Sequence, residues 1–184
     1  MRNVVMTVGH KEIGRAKTWA YPEGAGRGLF WIPTYNLKIA GTDESGKATE
    51  RDFEVLRFGI HCPTRASGPH VVGLANAQTH VIKAWLPDYS VHSAPSLEQG
   101  AWQVYDDFLI HDGPDDPINE VYATIGCIEI CQGPKGFDVF NDFLIKLSGP
   151  KSSDRASRLA EIGRARNLTI RYLKAVRPPL VPAR

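Results

Sequence analysis

No apolar run in this 184-residue sequence approaches membrane-spanning length, which excludes a spanning helix within it. Only three cysteines are present, Cys62, Cys127 and Cys131. An odd, small count is not a secreted disulfide framework. It allows one bridge, for example Cys62 to Cys131, with one thiol left over. Charge of one sign is lacking too: 22 bases against 20 acids leave a formal +2, so no polyelectrolyte field points to nucleic acid. Repeats and low-complexity linkers are absent. A secretory leader is not expected at Met1 to His10, which offer one basic residue and a short, interrupted apolar stretch. The expectation is a chain made without an N-terminal signal. It would be cytoplasmic in the producing cell, and would reach a periplasmic or external site only by a route that reads no such signal.

What is present describes one folded domain over residues 1–184, with 42% hydrophobic and 23% charged residues. Seventeen glycines and thirteen prolines favour turns and strands over long helices. Charge is unevenly placed. Residues 101–142 hold nine acids against Lys135, a net −8, and residues 151–184 hold nine bases against two acids, a net +7. Opposite blocks in a small domain commonly compensate, so the two segments are expected to face each other or solvent.

Patterning predicts strands at 1–8, 17–21, Leu29–Ala40 with an interruption at Pro33, Asp52–Ile60, Thr79–Leu86, Ala101–Ile110 with a turn at Asp106-Asp107, and Val121–Thr124. Asp112-Gly113-Pro114-Asp115-Asp116-Pro117 is a loop, without the ligand spacing of a calcium-binding hand. Phe137, Phe140, Phe143, Leu144 and Leu147 give an amphipathic helix closed by Gly149-Pro150. A second helix, capped by Ser152 or Ser153, runs to about Arg166. Leu168, Ile170 and Tyr172 form a final strand. The order is α+β, mostly β, with helices late.

Chemistry concentrates in two segments. A strand ends in His111-Asp112-Gly113; then, sixteen residues after the histidine, Thr124-Ile125-Gly126-Cys127 places a thiol. A neighbouring imidazole raises the thiolate fraction of a cysteine. Gly126 leaves room for a substrate, and successive N–H groups at Ile125, Gly126 and Cys127 can hold an oxyanion. The histidine needs an orienter, and the backbone carbonyl of Asp112 is the nearest candidate. Tyr89, His92 and Trp102 are candidates to line a cleft, with Trp102 equally suited to the core. Cys127-x-x-x-Cys131 is not a zinc spacing, and no metal or organic cofactor is expected.

These residues resemble the catalytic domain of the L,D-transpeptidases, the YkuD-like cysteine enzymes of peptidoglycan. The pattern is His-x-Gly, a gap, then Ser/Thr-x-Gly-Cys and a hydrophobic residue, met here by His111, Gly113, Thr124, Gly126, Cys127 and Ile128. The likeness runs from about Tyr89 to Leu147. It implies a mixed β-sheet sandwich and thioester chemistry on peptidoglycan stem peptides, with Cys127 as nucleophile and His111 as base. It also implies substrate contacts at Gly113, Thr124 and residue 129. Two positions depart from the pattern. Ile125 stands where the family usually has His, and Glu129 where it usually has Arg, which alters how a substrate carboxylate is held. With no leader, the resemblance further implies a peptidoglycan-targeting antibacterial toxin of a contact-dependent, type VI-like secretion system, with an immunity protein as partner. Two alternatives stay open: a non-catalytic wall-binding module on the same fold, and a cysteine amidase with another substrate.

Overall fold

The computed structural model describes residues 1–22, 26, 28–90 and 98–183. His92, a candidate cleft residue, lies outside the described residues. The chain is α+β and mostly β. In order it forms β1 (Val4–Trp19), β2 (Leu29–Thr42), β3 (Ala48–Leu56), β4 (Phe58–His61), β5 (His70–Gly73), β6 (Gln78–Val81), β7 (Ala84–Leu86), β8 (Ala101–Tyr105), β9 (Phe108–Asp112), β10 (Val121–Ala123) and β11 (Ile128–Ile130). Two late helices, α1 (Gly136–Ser148) and α2 (Arg155–Ala165), precede β12 (Leu168–Tyr172) and β13 (Val181–Pro182). A large mixed sheet runs in the order β6-β12-β1-β2-β3-β11-β9-β8-β7, with β10 added to β1 and β13 to β2; β4 and β5 make a separate hairpin sheet. No described helix is long and apolar enough to cross a membrane.

The long strands serve two cores by changing phase. In β1, Val4, Met6 and Val8 are buried on one face. Its pairing with β2 is irregular between Val8 and Gly14, after which Ala16 is buried in the other core. In β2 the buried set Phe30, Ile32 and Thr34 gives way to Tyr35, Leu37 and Ile39. A one-residue phase change sends alternate side chains to the opposite face. The first core gathers Val4, Met6, Val8, Leu37, Ile39 and Phe53 under Phe137, Phe140, Leu144 and Leu147 of α1. The second holds Ala16, Phe30, Ile32, Leu56 and Ile60 with Cys62 and Cys131, both free thiols.

Several boundaries differ from the sequence reading, each for a local reason. The strands expected at 1–8 and 17–21 are the two halves of one, Val4–Trp19, because β2 pairs with β1 along both. Pro33 does not interrupt β2: it sits opposite Arg15, at a point where the other edge is paired neither by β3, which reaches Thr34, nor by β13, which reaches Trp31. The stretch Asp52–Ile60 breaks at Arg57. That side chain is fully buried and donates to the carbonyls of Gly9 (2.8 Å), Leu74 (3.0 Å) and Leu173 (2.6 Å). Thr79–Leu86 splits into β6 and β7, since Ile82 N donates to Leu168 O and Lys83 N to Gln103 O. The cap of α2 is Asp154, accepting from Ser157 N at 2.9 Å, rather than Ser152 or Ser153. The acidic and basic segments meet where Arg155 pairs with Asp138 (2.7 Å) and Asp142 (2.9 Å).

Candidate active site

β9 and β11 are parallel neighbours in register Ile128 to Ile110, Glu129 to His111 and Ile130 to Asp112. Alternation along both strands then sorts the side chains. Ile110, Ile128 and Ile130 enter the first core. Leu109, His111, Cys127 and Glu129 line a cleft of about 340 Å³ on the other face, with Tyr21, Tyr89 and Ile125 among its walls. Cys127 immediately precedes β11, two residues ahead of Glu129, whose cross-strand partner is His111.

The histidine is held by its own strand end. His111 Nδ1 lies 2.7 Å from the Asp112 carbonyl oxygen. A carbonyl only accepts, so Nδ1 carries the hydrogen and the neutral ring presents its lone pair at Nε2. Nε2 is 3.9 Å from Glu129 Oε1. The Tyr89 ring lies 5.5 Å from the imidazole, centre to centre.

The turn carrying Cys127 rests on β4 and β5. Ile60 N donates to Thr124 O at 2.9 Å, and a Cβ on Gly59 would overlap that carbonyl. Gly126 adopts φ +99°, and a Cβ there would come 2.7 Å from Gly73 Cα. Its missing side chain therefore makes room for the β5 backbone, where the sequence suggests room for substrate. The Gly126 N–H is directed at Thr124 Oγ1, 3.5 Å away, and not toward the cleft expected of an oxyanion donor.

Burial sets the ionisation of the site. The Cys127 thiol is pushed up to about 12, chiefly by burial, with Glu129 and Asp107 adding to the rise. At neutral pH it is a protonated thiol, not the thiolate-rich group that an adjacent imidazole would favour. Glu129 is raised to about 8 by burial and by Asp112, against a hydrogen bond from Thr124. Its Oε2 is buried without a hydrogen-bond partner. Tyr89 is raised to about 12, again mainly by burial.

Other candidates sit away from the cleft. Trp102 is fully buried in the first core and donates Nε1–H to Asn141 Oδ1 at 2.9 Å, so it does not line the cleft. Gly113 N donates to Ile130 O at 3.1 Å, and a Cβ on it would come 2.9 Å from that oxygen. It permits close strand approach, and Gly113 is not among the cleft walls. Thr124 is buried beneath the turn, bridging Gly126 and Glu129.

Sequence reasoning passes over Glu98, which accepts from Phe137 N (3.3 Å) and Asp138 N (2.7 Å) at the start of α1. Among the described residues, Glu98, Asp112 and Asp115 are the group whose oxygens lie within 4.8 Å of one another, as a metal ion would need. No motif spacing marks Glu98. Leu109, in contrast, is readable as the alternate neighbour of His111. No family model, curated protein or solved structure matches the chain.

Proposed function

We propose that the chain is a cysteine acyl enzyme of the L,D-transpeptidase type, acting on peptidoglycan stem peptides. The observation that carries the reading is the shared cleft face of His111 and Cys127, with Nδ1 fixed on the Asp112 carbonyl so that Nε2 is the basic nitrogen. Because the resting thiol is protonated, attack and proton transfer go together. The Cys127 sulfur bonds to the peptide carbonyl carbon as its proton passes to Nε2. The N–H groups of Ile125 and Cys127 are the candidates to hold the developing oxyanion. Collapse breaks the C–N bond, the leaving amine takes the proton from His111, and a thioester remains. Water or a second amine then adds, His111 accepts its proton, and the thiol is released. Glu129, opposite Nε2, stabilises the imidazolium of each transfer once it is ionised, as pH rises toward about 8.

The wall substrate comes from the motif resemblance, as does the setting of an antibacterial effector delivered by a type VI-like system and neutralised in the producer by an immunity protein. Intact-mass analysis after incubation with purified muropeptides tests the chemistry. The expected result is a covalent adduct on Cys127 and altered muropeptides, both absent in Cys127→Ala. Equal processing by Cys127→Ala would overturn the reading.

A second reading, a non-catalytic wall-binding module, is favoured by the high resting position of the thiol. It predicts that the parent and Cys127→Ala co-sediment equally with isolated cell walls while neither changes them.

A further inference from the structure

Glu129 is the unusual group of the cleft. It is 1% exposed, yet Oε2 has no hydrogen-bond partner, and Oε1 faces His111 Nε2 at 3.9 Å without reaching it. A buried carboxylate with an unmet oxygen is costly, and the cost is removed by a ligand that brings a donor, most of all a charged one. The described walls of the cleft hold two acids, Asp107 and Glu129, and neither lysine nor arginine. Such a cleft repels an anion. Glu129 and Cys127 lie two residues apart and both line the cleft, and two residues of extended backbone span about 7 Å. We infer that the cleft binds a substrate carrying a cationic nitrogen about 7 Å from the carbonyl carbon that Cys127 attacks, held by Glu129, and discriminates against a free carboxylate at that place.

The inference rests on the acyl-enzyme reading for the position of the carbonyl, but the charge preference is independent of turnover. It also has a pH signature. Glu129 is faced by His111 and Asp112 of β9, Tyr122 of β10, Cys127 and Cys131 beside β11, and Tyr89. An ammonium group favours the ionised carboxylate. Affinity for a cationic ligand should therefore climb as pH rises toward about 8, with a proton released on binding.

The test uses the Cys127→Ala chain, which cannot turn over, and two peptides differing at one lysine: free amine or Nε-acetylated. Calorimetry at pH 8 is expected to show binding of the free amine tighter by roughly tenfold or more, as charge-assisted hydrogen bonds are about twice as strong as neutral ones. The preference should vanish in the isosteric Glu129→Gln. A third peptide with a carboxylate in place of the amine should bind weakest. Equal affinity of the amine and acetyl forms, no binding of either, or a preference that survives Glu129→Gln would overturn the inference. If Glu129→Gln does not fold, the pH series on Cys127→Ala decides, and an affinity for the amine that is flat from pH 6 to 9 overturns it. Adduct formation on Cys127 without charge preference would sink this inference and spare the acyl enzyme. Charge preference with no adduct would do the reverse.

Discussion

Arg57 and Glu129 are both buried ionisable side chains, and they have opposite surroundings. Arg57 gives N–H bonds to three carbonyls drawn from residues 9, 74 and 173, and its guanidinium lies within 6 Å of the rings of Tyr35, Phe58 and Tyr172. Glu129 has a hydrogen bond from Thr124, a histidine just out of reach and one unmet oxygen. Burial shifts both groups toward neutrality, lowering Arg57 and raising Glu129. The first is satisfied by the fold and ties three parts of it together. The second is left short at the wall of a cleft, as expected of a group that awaits a ligand.

Breaking the satisfied member should have the largest effect. Arg57→Ala leaves three part-buried carbonyls without their donor and opens a cavity, and is expected to cost about 4 kcal/mol by denaturant titration, or to prevent folding. Next is the unsatisfied member. The raised Glu129 favours the protonated form when folded, so its contribution to stability is whole below about pH 4.5 and lost as pH rises toward about 8. Glu129→Gln removes that loss. Above pH 8 the variant should be more stable than the parent by at most on the order of 5 kcal/mol, and below pH 4.5 the difference should disappear. Urea midpoints at the two pH values check the sign. Gly59→Ala keeps every polar group but intrudes on the Thr124 carbonyl; a loss of about 2 kcal/mol is expected, with slower Cys127 adduct formation. The smallest effect is at Trp102→Phe, which leaves Asn141 Oδ1 without its donor. A loss of about 1–2 kcal/mol is expected in thermal unfolding, with adduct formation unchanged because Trp102 is not in the cleft.

The same contrast explains what could be read in advance. The α1 helix was legible because Phe137, Phe140, Leu144 and Leu147 repeat at its period and Gly149 ends it, with φ 66° and N–H bonded to Ile145 O. His111 and Cys127 stand out in the sequence by residue type and spacing, and parallel pairing brings them to one cleft. Arg57 was hidden, since alternation continues through it from Phe53 to Ile60 and its acceptors lie far away in the chain. The short β11 was hidden too: the apolar, acidic, apolar order of Ile128, Glu129 and Ile130 is only three residues long, too brief to mark a strand. Trp102 and Gly113 show the converse limit. Their residue types suit a cleft, but only packing decides which face they meet.

The register of β9 against β11 has a consequence for how such sites vary. His111 and Cys127 are set apart by strand pairing, while the chain between Pro114 and Glu120 takes a separate course across the surface before β10 joins β1. Residues inserted there should leave the two groups where they are, whereas deleting a single residue within β11 would exchange Ile128 for Cys127 and Glu129 at the cleft. The number of residues separating histidine from cysteine is thus a poor ruler for finding kindred sequences, and the pleat on which both stand is a better one.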